Sequence, residues 1–330
     1  MDSTNRVILD RIQRSFPIVS RPYGALAEGL EISEAEILER IVSLKNSGVI
    51  RQISAIFNTG ALGYRSSLVA MQVPEEDLDR VADLVNAYPG VSHNYLRPGA
   101  FNMWFTIAAP PGQSLEAVVE KLSAEAGGVS ALVLPALKKY KLAVVLDVLE
   151  EGEGDGAEEK ATLPLCEPGA SFEPTPENIA IVKCIQEDLP VVERPFAGLA
   201  ETLEMSESEL LAVVSRWIDQ GTIRRFAAVL NHRQVGFRAN GMVVWDCPLE
   251  QIDRMGAILA SSSEVSHAYS RPACPPHWPY NLYAMIHARS ATQCEEIAAG
   301  LTEESGLGDF RILFSTKEYK KIRLKLFWDE

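Results

Sequence analysis

Apolar residues follow two different periods along the chain, and the switch between them happens twice. Over residues 4–15 and 21–47 they recur at helical spacing: Val7, Ile8 and Ile12, then Leu26, Leu30, Ile37, Leu38, Ile41 and Leu44. Ser33, with Glu36 three positions later, predicts a capping box that starts the last of these helices, and Gly48 its end. The Gly-Val-Ile-Arg that follows predicts a short strand pair, which makes the segment a winged helix-turn-helix. From Ser66 the pattern becomes strand (SSLVAMQVP), helix (EEDLDRVADLVNAYPG), strand (VSHNYLRP), strand (AFNMWFTIAAP), helix (LEAVVEKLSAEAGG) and strand (VSALVLPALKKYKL). That order, βαββαβ, predicts a ferredoxin-like domain. Its four-stranded sheet keeps one face clear of helices, so apolar surface remains that a second copy would cover.

The second copy is in the same chain. FPIVSRPYGALAEGLEISEAEILERIVSLKNSGVIRQISAIFN, from Phe16, aligns with LPVVERPFAGLAETLEMSESELLAVVSRWIDQGTIRRFAAVLN, from Leu189. GVSHNYLRP around His93 answers EVSHAYSRP around His267, and FNMWFTI at Phe101 answers YNLYAMI at Tyr280. Further on, Lys138, Tyr140 and Lys141 answer Lys317, Tyr319 and Lys320, while Ser206, Glu209 and Gly221 repeat the capping signals. The expected architecture is α+β: two tandem modules, each a winged helix-turn-helix followed by a ferredoxin-like βαββαβ domain. The winged helices are expected over 1–60 and 175–233, and the ferredoxin-like domains over 61–148 and 234–330. Residues 149–174 are read as a linker, because 150–160 carry six acids against one lysine and cannot bury a core.

Composition narrows the function. With 47% apolar and 23% charged residues in 330, the chain is an ordinary globular protein. No apolar run reaches the ~18 residues of a membrane span, and MDSTNRVILDRIQ lacks the layout of a signal peptide, so a cytoplasmic protein without a membrane partner is expected. Cys166, Cys184, Cys247, Cys274 and Cys294 form no CxxC pair, which predicts reduced thiols and no metal site. A formal charge of −14 argues against a nucleic-acid partner, since duplex affinity comes largely from cations that displace counterions. The helix starts that would enter a major groove are acidic as well, reading Ser33-Glu34-Ala35-Glu36 and Ser206-Glu207-Ser208-Glu209. A local basic pocket for an anionic small molecule remains compatible with this charge.

The repeat supplies such a pocket with candidates. His93 and His267 precede Arg97 and Arg271 by four residues, with Tyr95 and Tyr269 between, so each trio projects from one face of its strand. Arg51, Arg224 and Arg225 stand at the wings, and Lys138, Lys141, Lys317 and Lys320 in the last strands. Arginine suits carboxylates because its planar fork makes two parallel charge-assisted hydrogen bonds. One strand histidine is ordinarily a satisfied structural residue, and one arginine a solvated charge. Duplication of the whole His-x-Tyr-x-Arg pattern sets these apart. His232, in LNHR, and His277, in PPHWPYN, occur in the second copy only, and Trp278, Tyr280 and Asn281 share the latter segment. No GxGxxG, GxxxxGK[ST] or GxSxG occurs.

Both halves resemble the leucine-responsive/asparagine regulator family, down to the segments from Asn58 to Tyr64 and from Asn231 to Phe237. Fold alone does not fix function. More specific are SHNYLRP with FNMWFT, SHAYSRPACPPHWPYNLYAMIH and RRFAAVLNHRQVGF, which resemble the two subunits of the siroheme decarboxylase family, here fused. The resemblance implies a carboxy-lyase that removes the carboxyl groups of two ring acetates of siroheme, leaving the methyls of 12,18-didecarboxysiroheme, in heme or heme d1 biosynthesis. It implies no required cofactor, the siroheme iron entering as part of the substrate. On this reading His93 and His267 are catalytic. Arg97, Arg271, Tyr95, Tyr269, Arg51, Arg224, Arg225, His232, His277, Trp278, Tyr280, Asn281, Lys138 and Lys317 bind substrate, with His232 or His277 as an acid, a carboxylate partner or an axial ligand to the iron. The chain departs from the family at Gly99-Ala100, where first-subunit sequences often carry polar residues. The second half is therefore expected to supply more of the pocket and the first to complete it, the modules pairing with each other and open to further homo-oligomerisation. Two other classes stay open: a ligand-sensing regulator of the same fold, and a non-catalytic tetrapyrrole carrier.

Overall fold

The computed structural model describes residues 2–142, 172–231, 239–288 and 290–328. The linker and His232 lie, respectively, almost wholly and entirely outside them. The described residues of 1–63 and 145–236 form one compact unit, and those of 64–144 and 237–328 form another. The units thus cut across the repeat: one collects both helix-turn-helix segments, the other both sheet domains.

In the first unit α1 (Ser3–Arg14), α2 (Pro22–Ala27) and α3 (Glu34–Asn46) lead into β1 (Ile50–Phe57). Their second-half equivalents are α6 (Pro176–Ile185), α7 (Pro195–Thr202), α8 (Glu207–Asp219) and β7 (Ile223–Leu230). Ser206 and Glu209 complete a capping box at α8. At α3 only half of the expected box forms, because Ser33 Oγ accepts from the Glu36 N–H while the Glu36 carboxylate turns to Arg40. Gly48 and Gly221, both at φ +74°, end the two helices in the left-handed region that glycine adopts without a Cβ penalty. Among the described residues the strand after each helix-turn-helix does not pair within its own module. Instead β1 pairs antiparallel with β7, joining the two halves in one two-stranded sheet. Phe16, where the repeat begins, donates its N–H to the Phe226 carbonyl, and Leu189, its equivalent, to that of Ile53. Each half is thereby tied to the other's strand.

The second unit holds two five-stranded sheets. The first half contributes β2 (Arg65–Met71), α4 (Leu78–Ala87), β3 (Val91–Leu96), β4 (Met103–Ala109), α5 (Leu115–Glu125), β5 (Ala131–Leu134) and β6 (Lys138–Leu142). The second contributes β8 (Ala239–Trp245), α9 (Ile252–Ser261), β9 (Val265–Ser270), β10 (Leu282–Ala288), α10 (Ala291–Ser305), β11 (Phe310–Phe314) and β12 (Lys317–Lys321). The sheet orders are β12-β3-β4-β2-β5 and β11-β8-β10-β9-β6, so each sheet takes its fifth, edge strand from the other half. The single last strand read over VSALVLPALKKYKL is in fact two. Pro135, which has no N–H for a ladder, stands between them, and after it β6 crosses to β9. Both exchanged edges, KKYKL and KEYKK, are lysine-rich, which blunts an exposed edge against further strand addition.

Alternation along the strands divides the apolar residues into three layers. Val69, Phe105, Ile107 and their neighbours pack under α4 and α5, and Val243, Trp245, Ala284 and Ile286 under α9 and α10. The opposite faces meet in a third cluster, with Ala70, Trp104 and Leu134 from one sheet and Met242, Val244, Tyr283 and Leu313 from the other. Phe101 and Trp278 enter it from loops. Burying each such large side chain contributes about 1.5–3 kcal/mol, so the helix-free faces are held together by a core of their own.

Candidate active site

The two histidines stand on that shared, helix-free side. Tyr95 is opposite Trp104 and His93 opposite Thr106 in the β3–β4 ladder, and directly paired residues of an antiparallel ladder share a face. The β9–β10 ladder likewise sets Tyr269 opposite Tyr283 and His267 opposite Met285. A register shift before each histidine, at Val91/His93 and at Met285/Ile286, bends the ladder beside it. The preceding serine hydroxyl holds each imidazole: Ser92 Oγ lies 2.9 Å from His93 Nδ1 and Ser266 Oγ 2.8 Å from His267 Nδ1. The His93 and Tyr95 rings are 6.2 Å apart at 34°, and those of His267 and Tyr269 6.0 Å apart at 32°. Independent copies of the motif thus adopt one geometry.

Each trio ends on a guanidinium that stacks over its tyrosine, 5.5 Å from the Tyr95 ring for Arg97 and 5.0 Å from the Tyr269 ring for Arg271. Arg271 is also 5.5 Å from the Tyr283 ring. Arg97, only 4% exposed, donates from Nη1 to the Leu313 carbonyl, and Arg271 to the Leu134 carbonyl, its counterpart in the other half. Nε of both arginines is buried without a hydrogen-bond partner, and neither forms an ion pair among the described residues. Burial lowers the pKa of Arg271 and takes that of Arg97 down to about 10. A buried cation without an acid is costly, and a carboxylate ligand is the group that would offset the cost.

The remaining expected site residues are distributed unevenly. Trp278 is buried in the inter-sheet cluster, its Nε1–H donating to Tyr283 Oη at 2.7 Å, with the Trp104 and Tyr280 rings at 5.0 and 4.9 Å. It is a core aromatic, and Tyr280 is the half-buried ring beside it. His277 is exposed at the tip of the loop that the Cys274–Trp278 bridge closes. Lys138 and Lys317 lie on the exchanged edges, ion-paired with Asp253 at 2.8 Å and Asp79 at 2.6 Å. Arg51, Arg224 and Arg225 belong to the other unit, on β1 and β7, where Arg225 donates to the Gln13 carbonyl at 3.0 Å.

Asn281 has a structural task. Its side chain accepts from the Cys247 N–H at 2.9 Å and donates to the Cys247 carbonyl at 2.8 Å, while its own carbonyl accepts from the Arg271 N–H at 2.8 Å. Asn102 repeats the knot with Val73, at 3.0 and 2.8 Å, and with the Arg97 N–H at 2.8 Å. Each asparagine therefore anchors the backbone of the buried arginine to the end of a neighbouring strand. Among the described residues no group of three or more His, Cys, Asp or Glu could hold a metal, and no helix is long and apolar enough to cross a membrane.

Comparison with known proteins agrees with this construction. The family described as an AsnC-like ligand binding domain matches residues 61–141 and 234–320, and that described as a siroheme decarboxylase NirDL-like HTH domain matches residues 5–51 and 178–224. A siroheme decarboxylase of Hydrogenobacter thermophilus is 38% identical over 325 residues, spanning 98% of this chain and 95% of its own. A crystal structure of the siroheme decarboxylase NirDL aligns over 99% of this chain and 95% of its own, with a TM-score of 0.79 and 34% identity. Another, of NirDL in co-complex with an iron-uroporphyrin III analogue, gives a TM-score of 0.78 at the same identity and coverage. With both families matched in each half and this similarity along its whole length, the chain belongs to the siroheme decarboxylase family.

Proposed function

We propose that the chain decarboxylates two ring acetates of siroheme, yielding 12,18-didecarboxysiroheme, with His93 and His267 as proton donors and Arg97 and Arg271 as carboxylate holders. The observation that carries this reading is the pair of arginines that form no ion pair among the described residues, Arg97 buried and Arg271 half-buried with its Nε shut off from partners, each stacked over the tyrosine that stands between it and a histidine. The NirDL complex with an iron-uroporphyrin III analogue, a carboxylate-bearing tetrapyrrole, supports the ligand class.

In each decarboxylation the bond between the acetate methylene and its carboxylate breaks, CO2 leaves, and the electron pair stays on the carbon skeleton, where the macrocycle spreads it. A proton then completes the methyl. The sum, an acetate arm plus a proton giving a methyl arm plus CO2, involves no net oxidation, so the protein must supply only orientation and a proton. Histidine, with an unperturbed pKa of about 6.5, is matched to that transfer near neutral pH. Tyr95 and Tyr269 form the wall between acid and guanidinium. The edge lysines Lys138 and Lys317, with His277 and Tyr280 of the PPHWPYN segment, are assigned secondary contacts with the remaining arms and the ring.

Anaerobic incubation of the protein with siroheme is expected to give two successive mass losses of one CO2 each. Unchanged siroheme under those conditions would overturn the assignment, and tight binding without mass loss would make the chain a carrier.

A further inference from the structure

We infer that Arg311, which the second half sends to the first-half wall, forms with Arg97 a two-guanidinium subsite for a pair of neighbouring carboxylate arms, whereas the position equivalent to Arg311 at the His267 wall carries a leucine. The inference rests on the functional reading above and adds to it a residue and an asymmetry.

Arg311 lies on β11 opposite Val244, and Leu313 opposite Met242. Both partners belong to the inter-sheet cluster, so Arg311 projects from the helix-free face, on the side of the histidine walls. Ile312, between them, packs against the core under α9 and α10. The two arginines reach across one junction in opposite directions. Arg97 donates to the carbonyl of Leu313, two residues along from Arg311, and Arg311 Nη2 lies 3.5 Å from the carbonyl of Pro98, next in the chain to Arg97. Neither Arg311 nor Arg97 forms an ion pair among the described residues, so two guanidiniums share this corner, with Glu318 on the edge strand opposite Tyr95 as the nearby acid.

Gly99 makes the corner fit. At φ +138° it occupies backbone space that L side chains rarely adopt, and a Cβ there would sit 2.5 Å from Arg311 Nη2. The glycine that departs from the family pattern is thus where the incoming guanidinium lies. At the other wall the geometry repeats without the charge. Arg271 reaches the carbonyl of Leu134 as Arg97 reaches that of Leu313, and two residues before Leu134 the chain carries Leu132, packed against the inter-sheet cluster. Among the described residues, the two walls therefore differ in which cation accompanies the arginine: the guanidinium of Arg311 beside Arg97, and, at the other wall, Lys139 on the edge strand opposite Tyr269.

The test is Arg311→Leu, which installs the residue that the other wall already carries. Anaerobic Soret titration with iron uroporphyrin III is expected to show a Kd about 10- to 100-fold weaker than wild type, the range for losing hydrogen bonds to a charged group. With siroheme, the variant is expected to accumulate a species that has lost a single CO2, through a raised KM in one of the two steps. Arg311→Lys keeps the charge without the fork, is expected to fall between the two, and still tests the subsite should the leucine variant fold poorly. Wild-type binding and product pattern in both variants overturn the subsite while leaving the decarboxylase reading intact. Failure of wild type to bind the tetrapyrrole overturns that reading and the subsite with it.

Discussion

The His93 and His267 walls start from one sequence pattern and differ in what faces them. In both, a serine orients the histidine, a tyrosine stacks between histidine and arginine, and the arginine reaches a carbonyl of the opposite half. Around the constant trio the neighbours change: Thr106 stands 3.4 Å from His93 Nδ1 where His267 has Met285, and Trp104 replaces Tyr283 across from the tyrosine. Gly99-Ala100 makes a short loop where the second half carries Cys274 to Trp278. The duplication has kept the Ser-His-x-Tyr-x-Arg trio and varied its surroundings. On the proposed function, the constant groups would hold a carboxylate and supply a proton, and the varied ones would fit each wall to an arm in its own surroundings.

The sharpest way to break the comparison is to remove one acid at a time. His93→Ala and His267→Ala are each expected to slow decarboxylation about 10²- to 10⁴-fold, the range for a positioned general acid, with tetrapyrrole affinity changed only a few-fold. Counting CO2 losses by mass separates two arrangements. If each variant stops one of the two losses, each wall serves its own acetate. If either variant stops both, the walls act as one composite site. A variant that keeps the wild-type rate of both losses removes its histidine from the chemistry.

Much of this was readable before any coordinates. The helix periods, the caps at Ser33 and Ser206 and the His-x-Tyr-x-Arg alternation all express local rules of spacing, which act whatever the distant partner. Strand exchange was not readable, because KKYKL and KEYKK alternate in the same way whichever sheet they join. The pairing of β1 with β7 escaped for the same reason. Arg311 is not marked by the repeat, since its counterpart is Leu132. The knot between Asn281 and the Cys247 backbone is not legible either, because it joins residues 34 positions apart.

Next in size is the removal of the buried cations. Arg97→Met and Arg271→Met are expected to weaken binding of iron uroporphyrin III about 10- to 100-fold, as for Arg311. The Tm of the ligand-free protein should hold or rise, because a buried charge without a counter-ion destabilises the fold that contains it. A fall of more than about 4 °C, worth about 1 kcal/mol or more in a domain of this size, would make the guanidinium a structural element instead. The direction with pH follows from the same burial. An arginine with its pKa lowered to about 10 carries its charge below that value and loses it above. Affinity of the empty Arg97 wall for a carboxylate ligand is therefore expected to decline as pH rises through about 10, and Arg97→Met to abolish that limb.

The smallest expected effect lies in the asparagine knots, and it asks whether the arginines are positioned equally well. Asn102 and Asn281 each satisfy one backbone N–H and one carbonyl beyond their own strand and accept the N–H of their arginine through the main chain. Replacement by alanine leaves that N–H and carbonyl, of Val73 or of Cys247, without the amide. Each unsatisfied buried group costs about 1–3 kcal/mol, partly relieved wherever water can enter. A loss of about 2 kcal/mol is thus expected for each variant in urea unfolding, with ligand affinity weakened only a few-fold because the guanidinium itself remains. Equal losses would mean that the two walls stand on equivalent supports. If Asn281→Ala costs less than half as much as Asn102→Ala, the bridge between Cys274 and Trp278 shares the load in the second half. In that case the long loop of that half would be a brace for Arg271, and the short Gly99-Ala100 loop would leave Arg97 dependent on Asn102 alone.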